Sequence, residues 1–175
     1  LNIMGQMGVG ISTQPRSNAL CNAGIAPVAD MLKNGIKVGL GTDNGEGNFY
    51  ENMRYLVLMQ MGKNYSKHAL TPLQGFQIAT EGGAFGLGYT DVGCLKEGYS
   101  ADFQILTGNA AIQLTEKNVV AEVFWRKDPK DIKKVYVNGN LICQDGHSVN
   151  LDDERIRKDF SECVREFRKG QPYQD

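Results

Sequence analysis

Residues 36–48 read IKVGLGTDNGEGN, an apolar run that drives up to one acid, Asp43, and then breaks into glycine. Only Lys37 interrupts the run from Ile36 to Leu40 with a charge, and a short apolar stretch bounded by turn residues predicts a buried strand. Just upstream, Pro27 suits the first turn of a helix, Val28, Met31 and Leu32 give it an apolar face, and Gly35 can end it. Further back, Met7 to Thr13 (MGVGIST) predicts another short strand, followed by a polar loop from Gln14 to Gly24. Strand, helix and strand at this spacing make a βαβ unit, which predicts a parallel pair.

In parallel α/β architectures, ligands and catalytic groups gather at the carboxyl ends of the strands. The two loops that leave those ends carry Ser17 and Asn18 in one, Asp43 and Asn48 in the other. A shared site is therefore expected from residues distant in sequence. Asp43 sits where a rigid strand emerges, which suits a metal ligand or a general base. An Asp between Thr42 and Asn44-Gly45 equally suits a turn or a helix N-cap, and Ser17 and Asn18 suit an ordinary Asx or Ser/Thr turn.

Downstream, NMRYLVLMQM (Asn52 to Met61) is apolar nearly all round, which predicts a helix covered on several sides, with its methionines as core filler. Thr71-Pro72-Leu73-Gln74 predicts a helix start with a reciprocal cap, and Gly88 a helix end. From about residue 91 the pattern turns to period two: SADFQIL alternates, VVAEVFW is β-branched and aromatic, and VYVNGNLIC holds Asn-Gly between apolar runs, the strongest hairpin signal here. The last stretch predicts a helix with Ile156, Phe160, Cys163, Val164 and Phe167 on one face. Acids at its start and basic residues at its end suit the helix dipole, and the apolar face is expected to dock on the body.

The bulk numbers narrow the function classes. A net charge of −1 over 175 residues gives no steering toward nucleic acid or a membrane surface. No run has the length of a membrane span, and a cytoplasmic location is expected. Cys21, Cys94, Cys143 and Cys163 form no CxxC pair, which speaks against a structural zinc site or a disulfide framework and for buried free thiols. His68 and His147, the only histidines, lack ligand spacing and are expected to face solvent from loops.

Several stretches, in order, resemble the amidohydrolase superfamily in its aminohydrolase and chlorohydrolase branch, nearest to the 5-methylthioadenosine/S-adenosylhomocysteine deaminases. PRSNALCNAGIAPVADMLKNGIKVGLGTD resembles that branch's P-x-S-N, G-x-A-P and G-x-x-V-x-L-G-T-D series. LTPLQGFQIATEGGAFGLG resembles the helix after its last barrel strand, and VGCLKEGYSADFQIL and VYVNGNLICQDG resemble strands of its small β-sandwich. Where the nucleoside-deaminase pattern has a Ser four positions after the Asp, this chain has Gly47, and Asn44 and Glu46 also depart from it.

The resemblance implies an α/β fold: the C-terminal portion of a (β/α)8 metal-dependent hydrolase barrel, then part of a β-sandwich and a C-terminal helix. The expected divisions are 1–90 for the last barrel elements, 91–150 for the sandwich segment and 151–175 for the helix and tail. It implies that Asp43 is both a catalytic residue and a ligand of Zn2+ (or Fe2+), the partner histidines being absent from this chain. Ser17, Asn18 and Asn48 would lie on the substrate side. The parent would hydrolyse a C–N or C–Cl bond of a small heteroaromatic substrate, as a homo-oligomer. Two barrel strands where a barrel needs eight make the chain a fragment expected to be inactive alone. The alternative is a non-catalytic remnant serving as a scaffold or partner.

Overall fold

The predicted parallel pair forms around the quoted stretch. In the computed structural model, which describes residues 1–43, 47–108 and 111–169, β1 (Gly10–Thr13) and β2 (Lys37–Leu40) run parallel, Gly10 beside Lys37 and Thr13 beside Leu40. β1 is shorter than expected. A helix, α1 (Asn2–Gln6), precedes it, and Gly8 at φ +66° turns the chain before the strand can begin. The expected loop after β1 is instead a short helix, α2 (Pro15–Leu20), started by Pro15, whose fixed φ suits the first helical position. Then α3 (Val28–Lys33) runs up to Gly35, whose φ of +74° closes the helix and feeds β2.

Against this unit lies α4 (Phe49–Lys63). It buries Tyr50, Met53, Leu56 and Val57, but Tyr55 and Leu58 are 37% and 52% exposed, so it is covered on one side and not on several. The next helix starts with the expected cap: the Thr71 hydroxyl accepts the Gln74 amide at 3.2 Å, and the Thr71 amide donates to Gln74 Oε1 at 2.9 Å. It runs as α5 (Pro72–Gln77), a π-helical turn (Ile78–Gly82) and α6 (Gly83–Leu87), ending at Gly88 with φ +85°. Glycine lets this helix lie on the strands backbone to backbone. A Cβ on Gly82 would stand 2.0 Å from the Val38 carbonyl oxygen, and one on Gly10 would stand 2.3 Å from that of Gly86.

A second sheet orders β3 (Phe103–Leu106), β4 (Ile132–Val137), β5 (Asn140–Gln144) and β6 (His147–Ser148) in antiparallel sequence. Asn138-Gly139 makes the predicted hairpin, both residues at positive φ as a type I′ turn requires. Asp145-Gly146 repeats the arrangement between β5 and β6, which puts His147 on a strand; its side chain is exposed as expected.

Three further expectations are corrected. VVAEVFW is a helix, α7 (Val119–Arg126), not a strand. Its β-branched residues also fall at helical spacing, and Phe124, fully buried against Val57 and Gly75 in the first unit's core, outweighs local propensity. Arg54 of α4 fastens the end of α7: Nε donates to the Phe124 carbonyl at 2.8 Å, Nη1 meets Asp128 at 2.9 Å, and Nη2 donates to the Lys127 carbonyl. The final helix α8 (Asp153–Lys169) forms, but its apolar face does not dock. Ile156, Phe160 and Phe167 are 48%, 69% and 69% exposed. Its own Asp152 cap and an Arg155–Asp159 pair hold a helix that periodicity predicted, while periodicity says nothing of what covers the face. Lastly, the cysteines are free but none is fully buried; Cys21 and Cys163 are exposed. No helix among the described residues is long and apolar enough to cross a membrane.

Candidate functional site at the ends of β1 and β2

The two strand ends meet, and with them two of the expected residues. Past Leu40, Gly41 donates its amide to the Thr13 carbonyl at 2.9 Å, so the pairing carries on to the threshold of the loop. Asp43 then turns at φ +51°, a left-handed conformation that Asp tolerates better than most residues. From α2 the Ser17 hydroxyl donates to Asp43 Oδ2 at 2.7 Å, a short charge-assisted bond. Ser17 is 4% exposed, while Asp43 is open to solvent.

Asn18 and Asn48 are placed otherwise. Asn18, half-buried, lines a narrow crevice with Gly24, Ile25 and Gln60. Asn48 is the N-cap of α4, its side-chain oxygen accepting the Glu51 amide at 3.1 Å. Asn44 and Glu46 lie outside the described residues. His68 is exposed, and His147 stands 3.5 Å from Asp153 at the start of α8, so neither joins Asp43.

What mounts α2 was missed in the sequence. Asn52, fully buried, accepts the Arg16 amide at 3.4 Å, and Arg16 Nε lies 3.5 Å from Glu51. Two turns on, buried Gln60 donates to the Ala26 carbonyl at 2.8 Å and accepts the Ala29 amide at 3.1 Å, fixing the segment between α2 and α3. The signal was legible: two amides eight residues apart fall on one face of an apolar helix, with Leu56 between them.

The donor chemistry of this chain does not by itself fit a zinc ion. Zinc takes three or four nitrogen, sulfur or oxygen ligands. Among the described residues no group of three or more His, Cys, Asp or Glu could hold a metal. Asp43 offers one carboxylate, with Oδ1 bonded to nothing among those residues.

The family model of the amidohydrolase family matches residues 1–142. The chain belongs to the amidohydrolase family. It is 33% identical over 171 residues to a 5-methylthioadenosine/S-adenosylhomocysteine deaminase of Shouchella clausii, a match spanning 95% of this chain and 39% of that one. A 5'-deoxyadenosine deaminase of Methanopyrus kandleri is 27% identical, over 95% and 40%. Among solved structures, a zinc-bound adenosine deaminase of Xanthomonas campestris superposes with a TM-score of 0.84 at 18% identity, covering 93% of this chain and 38% of that one. An atrazine chlorohydrolase variant of Arthrobacter aurescens, complexed with zinc and atraton, gives 0.79 at 24% identity over 92% and 37%. At these identities the structural likeness speaks for the fold, and this amidohydrolase chain spans about two fifths of each relative's length.

Proposed function

We propose that the chain forms the C-terminal part of a metal-dependent aminohydrolase that removes ammonia from a purine-type ring. In this reading residues 1–90 are the closing elements of a (β/α)8 barrel, 91–150 a β-sandwich segment and 151–175 a helix and tail. Asp43 supplies one ligand to a zinc or iron ion whose histidines come from outside this sequence. Such an ion would supply a more acidic water, and the Asp43 carboxylate would serve as the proton acceptor beside it. Ser17, Asn18 and Asn48 shape the loops beside the substrate. The working protein is a cytoplasmic homo-oligomer.

The observation that carries the reading is the solvent-open carboxylate of Asp43, fixed at the carboxyl edge of two parallel strands by Ser17. Its support is the family membership and the run of deaminases among the sequence relatives. The test assays the longest polypeptide that carries this sequence, with zinc, against 5-methylthioadenosine, S-adenosylhomocysteine, 5'-deoxyadenosine and atrazine. Ammonia from one or more of the adenosine compounds is expected. Chloride from atrazine alone would transfer the reading to C–Cl hydrolysis. No product from a zinc-loaded sample would leave the scaffold role.

A further inference from the structure

We infer that the cleft between the end of β3 and α7 is a second binding site, which takes a small organic monoanion with an apolar body. The inference is independent of Asp43 and of the reaction proposed for it.

The cleft has a volume of about 460 Å3. Small-molecule sites typically measure roughly 300–1,000 Å3. Its apolar lining comes from two stretches: Leu106 at the end of β3 with Ile112 and Leu114 beyond it, and Val123 on α7. Leu106, Ile112 and Val123 are half-buried, and Leu114 is 52% exposed. Apolar side chains on a concave wall favour an apolar ligand, because both surfaces leave water together.

Charge selects the other end of the ligand. Arg126, Lys127 and Lys130 line the same cleft against Glu122 and Asp131, an excess of one positive charge. Both carboxylates are already engaged. Glu122 meets Arg126 at 3.0 Å, and Asp131 accepts the Asp128 amide at 2.9 Å and the Thr107 hydroxyl at 3.2 Å. Lys127 and Lys130 both help to hold the Asp131 carboxyl low, so both lie in its neighbourhood. Neither lysine side chain forms an ion pair or a hydrogen bond with any described residue. Two ammonium groups beside one committed carboxylate attract a single negative charge. An ammonium is a compact charge without the fixed fork of a guanidinium, so a carboxylate or a sulfonate would serve alike.

The walls are in place before a ligand arrives. Phe124 anchors α7 in the core, and Arg54 holds its end through the Phe124 and Lys127 carbonyls and Asp128. The Thr107 amide donates to the Asp131 carbonyl at 2.8 Å, which ties the end of β3 to the turn that carries Lys130. The Asn118 side chain accepts the Thr115 amide at 2.8 Å and donates to the Gln113 carbonyl at 3.0 Å, fixing the stretch that bears Leu114. A preformed cleft loses little freedom on binding, which leaves more of the contact energy as affinity.

The longest polypeptide carrying this sequence is titrated calorimetrically with 1-naphthoate, with decanoate and with the neutral 1-naphthalenemethanol. The methyl groups of Ile112, Leu114 and Val123 are followed by NMR in the same titrations. At least one of the two anions is expected to bind with a Kd on the order of 0.1 mM and to shift all three residues. Naphthoate alone would assign a flat aromatic body, decanoate alone an alkyl chain, and mutual displacement a site that admits both. Affinity should fall in about 0.5 M salt. The alcohol should bind on the order of 10-fold more weakly than naphthoate, and Lys127→Gln combined with Lys130→Gln should weaken anion binding by a similar factor. Leu114→Glu, a change at an exposed position, should weaken it as well.

Neither heat nor methyl shifts with either anion would overturn the inference, as they would if another part of the polypeptide fills the cleft. Binding that shifts other residues but not these three overturns it too. So does an alcohol bound as tightly as the acid, or full affinity in the double lysine variant.

Discussion

The parallel unit and the antiparallel sheet are built on opposite terms. Around β1 and β2 nearly every core residue is closed off: Val28, Ile36, Val38, Leu56, Val57 and Leu70 are at most 2% exposed. In β3 to β6 no residue reaches that state, and the strands are half-covered at best. Among the described residues beyond Ala84, the one that is fully buried, Phe124, is spent on the first unit's core. Backbone contact therefore dominates one region and turn geometry the other. The candidate site lies in the region that tolerates the least movement, which is where a carboxylate can be aimed.

Glycine replacements should separate the two regimes most sharply. In Gly82→Ala the new Cβ would meet the Val38 carbonyl oxygen at 2.0 Å, and neither backbone can yield without parting helix from sheet. A loss of about 4 kcal/mol or more is expected, in the range of exceptional single substitutions. In Gly146→Ala nothing lies within 4 Å and only the φ of +84° resists, so about 1–2 kcal/mol is expected. Urea unfolding of both variants measures the contrast, and equal losses would erase it.

The joint between the regions comes next. Arg54 carries three bonds from α4 to the end of α7, and Tyr50 adds a fourth to β3, its hydroxyl donating to Gln104 at 2.9 Å. Burial raises the Tyr50 phenol above its ordinary range, with Asp131 and Asp128 adding to the effect. Arg54→Met should cost about 2–3 kcal/mol, as charged hydrogen bonds to half-buried partners do. Trp125, the chain's single tryptophan, sits on α7 and reports on it. Its fluorescence should change at lower urea than the helical circular dichroism; coincident transitions would mean that the clamp does not join the two parts.

A smaller effect tunes the same joint by pH. The Asp128 amide, donating to Asp131 at 2.9 Å, holds the Asp131 carboxyl below its ordinary 3.8, with help from the Thr107 hydroxyl. A folded value below the unfolded one means that the ionised form favours folding. That stability is fully present above about pH 4 and fades as pH falls through the lowered value. Asp131→Asn should lower stability slightly at neutral pH and flatten the acid end of the stability profile, the variant and the parent converging as pH falls. A profile unaltered below pH 4 would remove Asp131 from the joint.

Much of this was legible in the sequence, for identifiable reasons. The βαβ unit, the Thr71 cap and the Asn138-Gly139 hairpin were readable because each is set by neighbours in the chain. So was Asp43 as a residue at a strand end, and the partnership with Ser17 followed in outline from the rule for parallel strands. Errors arose where distant contacts decide. Val119 to Arg126 has strand composition but is a helix because Phe124 reaches another unit's core. The face of α8 could be read, but not what lies against it. Asn52 and Gln60 were lost inside an apolar helix, although their spacing marked them as the mount of the site.

The central claim is that Asp43 is the metal-binding carboxylate of a site completed from outside this sequence. It is tested most directly by zinc content and ammonia release in the longest polypeptide carrying the chain, with Asp43→Ala and Asp43→Asn compared to the parent. The account predicts that alanine abolishes turnover and most bound zinc, while asparagine keeps more zinc and remains slow because the proton acceptor is gone. Full turnover in either variant, or stoichiometric zinc in the alanine variant, would contradict it.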